Sequence, residues 1–262
     1  MPRFSANLGF LWPERPLLGR IEAAAAAGFK VVELHWPYDV PPEFVRRACE
    51  RHGLRLLGLN TPVGDPAKGD FGLAAVPGRE AEFQAGFDRA VSYCRASGAI
   101  AIHAMAGAVP TELRPKARAA FKANLMQAAD KAAAYSLSVL LEPMNPRDRP
   151  GYFYSTVGEV ADWIAALERP NIRLMFDVYH VAVAEGDVLT KLKVHFPRIG
   201  HAQIAAVPSR AEPDEGEICY RAICRALDEI GYAGWIGCEY KPRGPTDEGL
   251  RWTSSLGVTL GR

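Results

Sequence analysis

Four apolar, strand-like runs in the second half of the chain, 139–142, 172–177, 199–203 and 235–239, each end in a residue that can offer oxygen to a hard cation. Those residues are Glu142, Asp177, Gln203 and Glu239, separated by 35 (142 to 177), 26 (177 to 203) and 36 (203 to 239) residues. One carboxylate at a strand end could simply cap a helix or pair with an arginine, but four such ends in succession do not share that explanation. Burying an unpaired carboxylate costs several kcal/mol, so three that converge need a cation between them. Three carboxylates and one amide make an all-oxygen donor set, which suits Mg²⁺ or Mn²⁺, whereas zinc favours His or Cys. An ion held there can polarise a carbonyl and stabilise an enediolate.

The spacing also fixes what must position these residues. A strand, a helix and two connections occupy about 30 residues, so four consecutive βα units deliver all four ends to one side of a parallel sheet. The whole chain keeps this rhythm. Strands are expected at 4–10, 31–35, 54–59, 99–103, 139–142, 172–177, 198–204 and 235–239. Helices are expected at 17–27, 43–52, 80–96, 116–135, from Ser155 with Glu159 near capping-box spacing, 189–195, 219–230 and 246–256. Gly28, Gly53, Gly98 and Gly231 supply helix stops. Eight strands alternating with eight helices, with no break in composition, predict an α/β fold: one (β/α)8 barrel domain over 1–262. An open doubly wound sheet is disfavoured because no Gly-x-Gly-x-x-Gly follows the first strand. The long loops, 60–77, 143–154, 204–216 and 240–245, follow strands, and in a barrel they form the catalytic face.

Further polar residues fall on that face. His180, three residues beyond Asp177 where the strand gives way to its loop, reads as a contact to substrate oxygen or as a packed residue behind the ligands, with substrate contact favoured. Glu33 and His35 share one face of strand two by alternation. Asn60 and His103 close strands three and four, each read as a pocket or a structural residue, with His103 taken as a substrate contact; His201 shares a face with Gln203, where it reads equally as a core histidine. Arg147, Arg149, Arg210, Lys241 and Arg243 follow catalytic-face strands. Solvated surface charge is the default for each, with Arg210, Lys241 and Arg243 preferred for holding a substrate carboxylate.

Composition narrows the function class. With 48% hydrophobic and 23% charged residues over 262 positions, the chain can bury a large core. Its net charge of +1 and lack of a dense Lys/Arg block disfavour nucleic acid as a partner. No apolar leader precedes the first strand and no apolar stretch reaches membrane-spanning length, so no membrane partner is expected. The five irregularly spaced cysteines contain no Cys-x-x-Cys, which gives the expectation of reduced thiols in a cytoplasmic protein. Assembly into a homo-oligomer is left open.

At these residues the chain resembles the hydroxypyruvate isomerase family, including 2-oxo-tetronate isomerases, of the xylose isomerase-like barrel superfamily. The carrying segments are Glu142-Pro143-Met144-Asn145, Met175-Phe176-Asp177-Val178-Tyr179-His180, Gly200-His201-Ala202-Gln203-Ile204-Ala205 and Gly234-Trp235-Ile236-Gly237-Cys238-Glu239-Tyr240. Upstream, Ala6-Asn7-Leu8, Pro62-Val63-Gly64-Asp65 and Glu82-Phe83-Gln84-Ala85-Gly86 also fit. The resemblance implies that Glu142 and Glu239 both ligate the metal and act as an acid/base pair, with Asp177 and Gln203 completing the metal site. Gln203 bears on the subfamily, because similar ketose 3-epimerases usually present histidine there. Ala206 and Ser209 depart from the aspartate and glycine common in the family, which touches substrate choice.

The implied activity is aldose–ketose isomerisation of a small 2-oxo acid. Hydroxypyruvate to tartronate semialdehyde leads, followed by 2-oxo-tetronate to 3-oxo-tetronate, with a ketose 3-epimerase as the alternative. A phosphodiesterase of the same barrel type would need a histidine-rich metal cluster, and a non-catalytic sugar-acid binder would need no proton-transfer pair.

Overall fold

In the computed structural model, which describes residues 2–260, nine strands form one parallel sheet. They are β1 Arg3–Asn7, β2 Val31–Glu33, β3 Arg55–Leu56, β4 Gly58–Asn60, β5 Ala101–His103, β6 Ser138–Leu141, β7 Ile172–Asp177, β8 Ile199–Ile204 and β9 Trp235–Cys238. Their order is β3-β2-β1-β9-β8-β7-β6-β5-β4. The expected third strand is therefore two pieces parted at Leu57. The Leu57 N–H donates to Val32 O (2.8 Å), while its carbonyl accepts from Ile100 N (2.9 Å) and Ala101 N (3.0 Å). That residue switches the chain from pairing with β2 to pairing with β5, and the sheet comes round on itself as an eight-staved (β/α)8 barrel.

The helices are α1 Leu17–Ala26, α2 Pro42–Arg51, α3 Glu80–Ser97, α4 Arg114–Ala133, α5 Val157–Leu167, α6 Val178–Ala184, α7 Val188–His195, α8 Tyr220–Glu229, α9 Thr246–Gly249 and α10 Trp252–Leu256. Three details differ from the sequence expectation. The cap of α5 is Thr156, not Ser155: Thr156 Oγ1 accepts from Glu159 N (3.2 Å), and Glu159 Oε2 accepts from Thr156 N (3.1 Å). The last helix is broken into α9 and α10. Finally, α6 starts directly on Asp177, so His180 stands on a helix rather than in a loop.

Strand alternation divides the barrel into two kinds of interior. Phe4, Ala6, Val32, Ile102, Val139, Leu141, Leu174, Phe176, Ile204, Ile236 and Cys238 are buried and form part of the continuous apolar core. Phe4 packs edge-on against Trp252 of α10 (centroids 5.2 Å apart), and the Trp252 indole N–H donates to Tyr240 Oη (3.0 Å), tying the C-terminal helix to the β1–β9 seam. Burying an aromatic side chain of this size contributes about 1.5–3 kcal/mol. The alternate residues, including Asn7, Glu33, Asn60, His103, Leu140, Glu142, Met175, His201 and Gln203, line a cavity of about 300 Å³. The polar residues that matter are thus on the axis, beside a few apolar ones such as Leu140 and Met175. Among the described residues, no helix is long and apolar enough to cross a membrane.

Candidate active site

The four strand-end residues reach one end of the barrel. Asp177 is the last residue of β7, Gln203 lies within β8, and Glu142 and Glu239 come one residue after β6 and β9. Asp177 is in register with Gln203, Gln203 with Gly237 and Gly237 with Ser5, so β7, β8, β9 and β1 present one row to the axis. Glu239, two residues beyond Gly237, stands on the same face one level higher.

All four side chains are buried, and each keeps one oxygen without a hydrogen-bond partner in the protein: Glu142 Oε1, Asp177 Oδ2, Gln203 Oε1 and Glu239 Oε2. In Asp177, Glu239 and Gln203 the other polar atom is engaged. Asp177 Oδ1 accepts from Tyr179 N (2.9 Å) and caps α6, so one oxygen serves the helix while its twin is free. Glu239 Oε1 meets His35 Nε2 (3.2 Å) and Arg210 Nη2 (3.5 Å). Gln203 Nε2 donates to Glu33 Oε2 (3.4 Å). Orphaned acceptors at 0–7% exposure are rare in folded proteins and call for a missing positive partner. The donor chemistry fits a hard divalent ion. Donor atoms of Glu142, Asp177 and His180 lie within 4.8 Å of one another.

His180 belongs to that trio by position, but its tautomer decides its role. Asn145 N donates to His180 Nδ1 at 3.1 Å, with Asn145 Nδ2 at 2.7 Å from the same atom. A backbone N–H can only donate, so Nδ1 is the acceptor and the proton of the neutral ring sits on Nε2. Burial, followed by the charge of Arg210, pushes the imidazole down to about 3, keeping it neutral. Nε2, 3.7 Å from Asp177 Oδ2 and 3.9 Å from Glu142 Oε1, is unpartnered and offers a hydrogen bond rather than a lone pair. His103, behind Glu142 with Nδ1 3.6 Å from Oε2, also lines the cavity, and burial pushes it down to about 4.

The carboxyls respond unequally to crowding. Burial, then the charges of Glu239 and Asp177, raises Glu142 well above the usual carboxylate range, and burial with Glu239 raises Asp177 to about 7. For Glu239 burial works in the same direction, but the His35 hydrogen bond and charge, with Arg210, outweigh it and hold the group low. A divalent cation among these oxygens reverses the penalty on Glu142 and Asp177.

The basic residues of the sequence expectation separate. Arg210 lines the cavity, near Asp148 (3.9 Å), Asp177 (3.9 Å) and Glu239 (3.5 Å), above the rings of Tyr179 and Phe10. Its backbone is left-handed at φ 58°, a conformation that costs a non-glycine residue about 1–3 kcal/mol, held by Arg210 N to Ala206 O (2.8 Å) and Lys241 N to Arg210 O (2.8 Å). Lys241 contributes that backbone bond, while its side chain is exposed on an outer groove with Arg147 and Pro208. Arg243 is not in the cavity. It is spent on Glu212 (2.9 Å), Asp214 (2.7 Å) and Glu215 (2.7 Å), tying the loop after β9 to the loop after β8. The expectation that Arg243 faces substrate is corrected on this ground: the acidic run 212–215 captures it at the rim.

Asp148 carries no role in the sequence expectation, and Arg149 stands there only as one of the less preferred basic residues. Asp148 Oδ2 accepts from Tyr179 Oη (2.7 Å) and Asn145 Nδ2 (3.2 Å), which braces the support of His180. Arg149 stacks on Phe71 with its guanidinium carbon 3.6 Å from the ring centroid and lines the cavity, whose rim also includes Phe10 and Trp36. Asn145 was within reach of sequence reasoning, three residues after Glu142 in one motif. Asp148 sits in an arginine-rich loop with no periodic signal.

Fold and site together define a (β/α)8 barrel enzyme with an acidic, oxygen-lined catalytic mouth. The model for the xylose isomerase-like TIM barrel family matches residues 21–256. A 2-oxo-tetronate isomerase of Cupriavidus necator is 44% identical over 96% of this chain and 97% of its own. A putative hydroxypyruvate isomerase of Homo sapiens is 43% identical over 97% and 94%. A crystal structure from Brucella melitensis titled AP endonuclease, family 2, superposes with a TM-score of 0.95 at 40% identity, covering 97% of this chain and 99% of that one. The chain belongs to the hydroxypyruvate isomerase family of xylose isomerase-like barrels, and it is an isomerase.

Proposed function

We propose that the protein is a metal-dependent aldose–ketose isomerase of a small 2-oxo acid, hydroxypyruvate or 2-oxo-tetronate. The observation that carries this reading is the set of four buried, unpartnered oxygens on Glu142, Asp177, Gln203 and Glu239. These residues would hold the ion. A divalent cation there, Mg²⁺ or Mn²⁺, supplies positive charge that polarises the substrate carbonyl and acidifies the neighbouring C–H. Glu142 and Glu239, on β6 and β9, bracket the substrate. One carboxylate removes a proton from the hydroxyl-bearing carbon, the other returns a proton to the former carbonyl carbon, and the hydroxyl proton passes to the former carbonyl oxygen, through an enediolate. The Nε2–H of His180 donates to a substrate oxygen. Arg210 and Arg149 both line the cavity and hold the substrate carboxylate, which favours an acid over a neutral ketose.

The single sheet, running from Arg3 to Cys238, supports reading 1–262 as one barrel domain. The endonuclease title of the Brucella structure does not transfer. Cleavage at a multi-metal centre needs several ions, and among the described residues one trio of His and acidic donors converges.

A substrate panel tests the reading. Purified protein with Mn²⁺ or Mg²⁺ converts hydroxypyruvate or 2-oxo-tetronate, followed by product NMR. Turnover of neutral ketoses alone moves the assignment to a 3-epimerase.

A further inference from the structure

Beneath the metal-facing oxygens lies a second polar layer that the mechanism does not use. Glu33 of β2 is 5% exposed and sits beside β8 residues three staves away, across β1 and β9. Its Oε2 accepts from His201 Nε2 (2.8 Å) and Gln203 Nε2 (3.4 Å), and its Oε1 accepts from Ser5 Oγ (3.4 Å). Unlike Glu142, Asp177 and Glu239, it keeps no buried oxygen without a partner. This carboxylate is satisfied by protein donors, and so is not itself a candidate ligand.

Its effect falls on Gln203. An amide can present oxygen or nitrogen to a cation, and only the oxygen binds one. A carboxylate accepts and does not donate, so the amide nitrogen belongs on the Glu33 side. That turns Gln203 Oε1 the other way, where it is buried and unpartnered. The space for this arrangement comes from Gly237 on β9, one of the two staves between. A Cβ there would lie 2.1 Å from Glu33 Oε1, 2.8 Å from Gln203 Cγ and 3.0 Å from His201 Nε2. Those neighbours are side-chain atoms, so a methyl group displaces the Glu33 carboxylate rather than the strand.

We propose that Glu33 is the positioning residue for the Gln203 ligand, with Gly237 as the opening through which it reaches across the barrel. The proposal rests on the metal-dependent reading above. Outer partners that orient metal ligands typically change affinity 10–100-fold when removed.

Calorimetric titration of Mn²⁺ into the metal-free, full-length protein tests it, with circular dichroism to confirm folding. Glu33→Gln and Gly237→Ala should each bind Mn²⁺ roughly 10–100-fold more weakly than wild type. In a Gln203→Ala background, Glu33→Gln should change affinity by less than about twofold, because the ligand it orients is gone. Folded Glu33→Gln or Gly237→Ala protein with wild-type affinity overturns the proposal, and so do losses that add in the double variant. Wild-type protein that binds no Mn²⁺ overturns the metal reading itself, and this inference with it.

Discussion

Two layers of the same barrel interior hold glutamates of nearly equal burial with opposite bonding. In the lower layer Glu33 is saturated by His201, Gln203 and Ser5. In the upper layer Glu142 and Glu239 each leave an oxygen bare. A saturated buried carboxylate holds the structure, whereas an unsaturated one raises the free energy of the empty site and is stabilised when a cation arrives. Burial alone does not separate structural from chemical residues here; the remaining hydrogen-bonding capacity does.

The largest predicted effect breaks the upper layer. Glu142→Gln and Glu239→Gln should each lower kcat by roughly 10²–10⁴-fold, the usual range for losing a positioned acid or base. The metal-free Glu142→Gln protein should melt no lower than wild type, because burial, then the charges of Glu239 and Asp177, disfavours a charge at this position and the neutral amide avoids it. Glu33→Gln should instead melt lower, by about 1–3 kcal/mol of stability, since buried donors lose their acceptor. Equal melting shifts for Glu142→Gln and Glu33→Gln would erase the distinction between the layers.

Next in size is recognition of the acid. Arg210→Leu should raise KM for a 2-oxo acid roughly 10–100-fold, and Arg149→Ala about 10-fold, as expected for lost hydrogen bonds to a charged group. Unchanged KM values for both would remove the carboxylate contact from the account.

The pH dependence sharpens the comparison further. Asp177 and Glu142 are raised in the folded state, so the native protein holds protons there that the unfolded chain has released. Their contribution is present below the ordinary carboxylate range and is lost as pH rises toward about 7, the Asp177 value. An incoming ion must displace those protons. The rise in Tm on adding Mn²⁺ should therefore be small near pH 5 and large near pH 8, roughly. A pH-independent increment, measured by differential scanning fluorimetry, would contradict the crowded-carboxyl description. The smallest effect is expected at the rim: Arg243→Ala should move KM by less than about threefold, since neither it nor its partners Glu212, Asp214 and Glu215 line the cavity.

Much of this was legible in the sequence for physical reasons. Alternating strand and helix runs with glycine stops at Gly98 and Gly231, both at positive φ, specify a βα repeat. The four strand-end residues with unpartnered oxygens are legible because a strand end fixes both depth and side. Side-chain direction beyond the strands is a tertiary property, so Arg243 was expected in the cavity although the acidic run 212–215 holds it outside. The helix α6 was missed because no loop residue separates it from β7; Asp177 ends one and caps the other. Glu33 and His201 were visible as inward residues, but their pairing spans staves far apart in sequence.

The central claim is that bare oxygens at the mouth hold an ion that the proton transfer requires. Proton NMR of hydroxypyruvate in D₂O, with metal-stripped enzyme before and after adding Mg²⁺, tests it most directly, using 2-oxo-tetronate in parallel. The account predicts no isomerisation by the stripped protein, and after the ion is restored, product that carries solvent deuterium to the extent that the carboxyls exchange. Full turnover by the stripped protein would contradict it.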